Sequence, residues 1–138
     1  MIRIILGVIV GFIAWTIIWI GSDQFLINAL DWYSRHHMAF TAAVVNHAAF
    51  EADQTVLIMN IARSLIASLL AGYLTAVVAG ENRRSTIALG VVLLIVGVVF
   101  ETIAWNYLPI WYHLLFLVLL IPVTIAGGKL KRFSRHSN

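Results

Sequence analysis

Residues 57–68 read LIMNIARSLIAS, and the fold turns on how that stretch is taken. Leu57, Ile58, Ile61, Leu65 and Ile66 would suit the interior of a soluble domain or the wall of a membrane helix. Arg63 stands among them, where a charge is costly. The length of the surrounding run separates the two settings. Apolar character persists from residue 56 to 79, and about 20 such residues suffice to cross a hydrocarbon core. The stretch is therefore predicted to be a membrane helix that carries an intramembrane arginine.

Composition supports this choice. Of 138 residues, 62% are hydrophobic and 11% are charged, and the mean hydropathy is +0.95. A soluble domain carries about a quarter charged residues, so this chain would have little polar surface to offer water. Three further apolar runs cover residues 3–21, 86–106 and 109–127. None shows the alternation of barrel strands. In lipid the remaining solution is the helix, which satisfies its own backbone. An all-α polytopic membrane protein is predicted, one domain over 1–138 with four transmembrane helices. The first run outlasts a signal-peptide core and has no small-residue cleavage site after it, so it is read as a retained span. With no cysteine, disulfides and thiolate metal sites are excluded.

The formal charge of +3 does not point to nucleic acid, because the basic residues adjoin the apolar runs. Arg3, Arg83, Arg84, Lys129, Lys131, Arg132 and Arg135 fall on one side of the four spans. The long first connection, 22–55, has Arg35 alone against Asp23, Asp31, Glu51 and Asp53. The positive-inside rule then places both termini in the cytoplasm. Gly127-Gly128 is expected to end the fourth helix, leaving 128–138 as a basic cytoplasmic tail. The connection 22–55 has neither Gly nor Pro. It is predicted to be helical along the outer surface, with Ser34 as its N-cap.

Small residues recur at helical spacing. Gly7 and Gly11 share a face of the first span; Ser64, Ser68 and Gly72 mark the second; Gly90 and Gly97 mark the third. Such stripes let helix backbones approach closely, either inside a compact bundle or against another subunit. Trp15, Trp19, Trp32, Trp105 and Trp111 all fall towards the outer side, as an aromatic belt at the headgroups would require.

Helical rise gives depth. Arg63 lies about 25 Å and Glu101 about 22 Å from the inner ends of their helices, at 1.5 Å per residue. Matched heights on consecutive antiparallel helices predict an Arg63–Glu101 ion pair. Asp23, Asn60, Asn106 and His113 reach the same level, giving an outer polar layer of Asp23, Asn60, Arg63, Glu101, Asn106 and His113. That layer is either a ligand site or glue between helices.

No phosphate loop, serine-nucleophile motif, zinc-helix motif or dinucleotide fingerprint is present. No cofactor is expected, although haem or a pigment could be held through His113 or His47. His36-His37 reads as an exposed pair. The segments AGYLTAVVAGENRRSTIALGVVLL (71–94) and LPIWYHLLFLVLLIPVTIAGGKLKR (108–132) resemble small four-helix bacterial inner-membrane proteins of no assigned activity. The resemblance implies a bacterial inner membrane and a four-helix layout, and brings no catalytic residue. The expected function is a small non-enzymatic accessory or assembly subunit, or a self-associating bundle, with the lipid bilayer and another membrane protein or a second copy as partners. The alternative is a transporter-like or small-molecule-binding protein that uses the outer polar layer.

Overall fold

A computed structural model of the chain describes residues 1–136, with side chains through Lys131. Arg132, Arg135 and His136 of the basic tail lie outside the described side chains. Five helices follow one another: α1 (Ile2–Ala29), α2 (Asp31–Asn46), α3 (Gln54–Ala79), α4 (Arg84–Ala104) and α5 (Ile110–His136). No strand occurs among the described residues. Helices α1, α3, α4 and the Ile110–Lys131 part of α5 are long and apolar enough to cross a membrane. Their exposed residues include Ile9, Ile58, Val91 and Leu114, so the outer surface of the bundle suits lipid. The chain is an all-α membrane protein with four candidate spans and an extra helix between the first and second.

Local chemistry sets the ends. The Asp53 carboxylate accepts from the Thr55 amide at 2.8 Å and caps α3. Gly80 closes α3 in the left-handed region at φ 74°, where a side chain would be strained. Glu81 accepts from the amides of Arg83, Arg84 and Ser85 at 3.1, 2.9 and 2.5 Å, satisfying donors that α4 leaves free at its start. Burial pushes the Glu81 carboxyl up, but the amides of Arg84, Ser85 and Arg83 and the Ser85 side chain outweigh it and hold it below the usual range.

The four spans form a ring in the order α1, α3, α5, α4, with α1 touching α4 over a shorter seam. Helices α3 and α4 follow one another in sequence yet sit on a diagonal and barely meet. Glycine permits the close approaches. A side chain at Gly7 would lie 2.7 Å from the Thr75 carbonyl, and Gly72 and Gly127 meet the backbones of Thr124 and Leu69. Gly90 and Gly97 press on Ile121 and Leu120 of α5. In lipid, such packing drives association in place of the hydrophobic effect. The Gly7–Gly11 stripe is therefore occupied by α3 within the chain, not left for another subunit.

One end of the ring gathers the basic residues. The Arg3 guanidinium lies at Gly80, Gly128 lies beside the Asn82 carbonyl, and Lys131 donates to the Ala76 carbonyl at 2.9 Å. At the other end α1, about 42 Å long at 1.5 Å per residue, outruns a core of about 30 Å and carries Ser22 and Asp23 beyond it. Leu30 is extended, and α2 then folds back across the bundle. Phe40 meets Tyr107 of the α4–α5 turn at 6.2 Å, while His36 and Phe40 meet Phe50 at 5.1 and 5.4 Å. Helix α2 is a roof over this end of the bundle.

Four expectations are corrected. The first helix continues to Ala29, because the polar residues after Gly21 find partners under the roof. Helix α2 begins at Asp31, so Ser34 lies inside it and is not its cap. Gly127-Gly128 does not end the last helix; these glycines give α5 room against Leu69 and Thr86. Trp15 is 5% exposed and donates to Ser68 at 3.1 Å, so it belongs to the core rather than to a headgroup belt.

Candidate functional site

Arg63 is held on five sides. Its Nε donates to Ser22 Oγ at 2.8 Å, Nη1 donates to Asn60 Oδ1 at 2.8 Å and to the Tyr33 hydroxyl at 3.0 Å, and Nη2 donates to the Trp19 carbonyl at 2.5 Å. Asp23 supplies the counter-charge at 3.7 Å. The Tyr33 hydroxyl in turn donates to Asp23 at 2.6 Å. Burial, then the bond to Asp23, pushes the Tyr33 phenol well above its ordinary value, so it stays a neutral donor. One arginine thus ties α1, α2 and α3 together, through the planar fork that suits guanidinium to several acceptors at once.

Glu101 does not pair with Arg63. Its Oε2 meets Nδ1 of His113, whose Nε2 lies 3.3 Å from the Trp105 carbonyl. The imidazole stacks on Trp105 with centroids 4.7 Å apart. The diagonal placement of α3 and α4 explains the difference, since Glu101 faces α5 and Arg63 faces α1. One proton shared between the two groups would leave the pair with zero net charge, a state tolerable in an apolar span.

Two adjoining cavities separate these clusters. The outer one, about 340 Å³, lies under α2 and is lined by Asp23, Tyr33, His36, His37, Asn60 and Arg63 together with apolar neighbours. The inner one, about 230 Å³, is lined by Trp15, Gly97, Glu101, Ala104, Tyr112 and Phe116. Trp19, Phe40, Asn60, Phe100 and Leu108 line both.

Of the expected layer, Asp23, Asn60 and Arg63 come together, and Glu101 and His113 form a second cluster. Asn106 joins neither. It is exposed in the α4–α5 turn and borders a shallow depression with Glu51 and Gln54. His47 is exposed at the end of α2, and both ring nitrogens of His113 are engaged, so the two form no axial pair. Tyr33, His36, His37 and Phe40 were not read from the sequence as site residues; their spacing of 3, 4 and 7 places them on one helical face. His36 is half-buried, and burial lowers its basicity. Its Nε2 accepts from the Asp53 amide at 3.1 Å.

No protein-family model, curated protein or solved structure gives a significant match to the chain. What defines the protein is its own geometry: a polytopic helical bundle with a partly polar site roofed by α2.

Proposed function

We propose that this protein binds a small lipid-soluble molecule beneath α2. One observation carries the reading: two adjoining cavities, each with mostly apolar walls and a few polar groups, share part of their lining beneath α2. Concave sites with mostly apolar walls and a few convergent polar groups are the usual form of ligand pockets. A bundle held by polar glue alone needs no such space.

The gathering of Arg3, Arg83, Arg84, Lys129 and Lys131 supports a cytoplasmic inner end and both termini on that side. The pocket then belongs to the outer leaflet of a bacterial inner membrane, the location implied by the resemblance of 71–94 and 108–132.

The accessory-subunit reading retains one specific support. Phe25, Met38 and Val45 are 70%, 61% and 70% exposed on the parts of α1 and α2 beyond the spans, and such side chains suit a partner surface.

The test uses a chain with Trp32, Trp105 and Trp111 changed to Phe, leaving Trp15 and Trp19 as reporters at the cavities. In lipid nanodiscs, a neutral brominated long-chain alcohol should quench their fluorescence saturably. Ala104→Phe, which fills the inner cavity, should abolish the saturable part. Quenching that only rises linearly with probe in the bilayer would defeat the reading.

A further inference from the structure

The walls of the inner cavity restrict what can occupy it. Charge is the first restriction. Arg63 is matched by Asp23, and Glu101 is matched by His113. A ligand with net charge would find no free counter-charge, and burying it unpaired would be prohibitive. Phospholipid headgroups and organic cations are therefore poor occupants.

Shape is the second. Trp15 and Trp19 stack at 5.4 Å with planes 13° apart, and Trp19 meets Phe116 edge-on at 5.7 Å. Aromatic walls favour offset or edge contact with another flat ring over a flexible chain. At about 230 Å³ the cavity is smaller than most sites that engulf a whole ligand, so it suits one ring while the rest stays outside.

Polar groups are the third. Glu101 uses one carboxyl oxygen on His113, and among the described residues its other oxygen has no hydrogen-bond partner. The Tyr112 hydroxyl lies near Asn60 on the same lining. A hydrocarbon would leave that carboxyl oxygen unpaired and give the Tyr112 hydroxyl, which already bonds Asn60, nothing to donate to. A ring with oxygens would use them, a carbonyl accepting from Tyr112 and a hydroxyl donating to Glu101.

Access is the fourth. Phe100 and Ile103 line the inner cavity, yet each is 58% exposed on the lipid-facing side of α4. They share that lining with Trp15 and Trp19 of α1, so a tail attached to the ring would pass between α1 and α4 into the bilayer.

We propose that the site takes a neutral quinone or quinol, its ring between the aromatic walls and its apolar tail in the outer leaflet. The inference rests on the binding reading above. The same two-tryptophan chain, in nanodiscs, is titrated with a decyl-substituted benzoquinone. Saturable quenching that displaces the brominated alcohol is expected. Tyr112→Phe, which keeps the ring and removes the hydroxyl, should weaken quinone binding about three- to tenfold, the worth of one hydrogen bond, and leave the alcohol unaffected. Saturation by the alcohol without saturation by the quinone overturns the quinone assignment and leaves the pocket standing. Equal affinity of Tyr112→Phe and the parent for quinone overturns the proposed ring orientation and the assignment with it. Failure of both probes to saturate overturns the binding reading itself.

Discussion

Arg63 takes hold of Trp19 twice. Its Nη2 donates to the Trp19 carbonyl at 2.5 Å, and its guanidinium carbon lies 4.3 Å from the centroid of the same indole. A lysine could occupy the space and keep the charge, but not the fork. With three donors for the four acceptors Ser22, Asn60, Tyr33 and the Trp19 carbonyl, it would lose at least one of them. Arg63→Lys should therefore cost about 1.5–3 kcal/mol, the range for hydrogen bonds to charged groups. Arg63→Ala, which loses all of these bonds and the counter-charge to Asp23, should cost about 3–5 kcal/mol. Unfolding titrations in mixed detergent micelles give both values, and an unchanged midpoint for the lysine variant would show that charge alone suffices.

The Glu101–His113 pair makes a separate prediction. His113→Phe leaves a carboxyl in an apolar span with no partner and should destabilise by about 3 kcal/mol or more. Glu101→Gln can still bond the imidazole and should cost about 1 kcal/mol. In the double variant the costs should not add, with a coupling of about 1–3 kcal/mol for residues in direct contact. Strict additivity would deny the pair. Pairing each of these residues with Arg63→Lys should give near-additive values, because the two clusters use different acceptors.

How much of this was readable beforehand follows from the physics of each feature. The four spans were legible because hydropathy over about 20 residues is a strong, local signal. Arg63 and Glu101 stood out because charges in such runs are rare. Their partners were not legible. Sequence order joins α3 to α4, yet α5 and α1 are the true neighbours, and nothing in a short turn reveals a diagonal. The roof was half legible: its helicity followed from composition, but Tyr33, His36, His37 and Phe40 mix polar and aromatic character and blur the usual amphipathic contrast. Gly127-Gly128 misled because the same residue type ends helices in water and packs them in lipid.

Glycine substitutions should divide sharply by position. Gly72→Ala would drive a methyl into the Thr124 backbone, which cannot move without shifting α5 against α3. A cost of about 1–3 kcal/mol or more is expected from such overpacking. Gly21 has nothing within 4 Å of the position a Cβ would take. Gly21→Ala should be neutral or stabilise by up to about 1 kcal/mol, since alanine loses less backbone freedom in a helix. Thermal aggregation onset of the detergent-solubilised variants checks both signs. Similar onsets for the two would contradict the helix spacing described above.

Acidity should loosen the roof through His36. Its Nε2 accepts from the Asp53 amide, so it must be unprotonated to keep the bond that ties α2 to the start of α3. Burial holds its basicity below that of a free imidazole, with His37 adding to the effect and the Asp53 carboxylate opposing it. The folded group therefore binds protons less readily than the unfolded one, and stability rises with pH across this range. The contribution is fully present above the unfolded value of about 6.5 and is lost as pH falls through the lower folded value. Hydrogen exchange, corrected for the intrinsic rate at each pH, should show α2 losing protection between pH 7 and 5 while α3 keeps its own. His36→Gln, which can still accept from the amide but does not titrate, should flatten that dependence. If His37→Gln flattens it instead, the tie through Asp53 is not what holds the roof down.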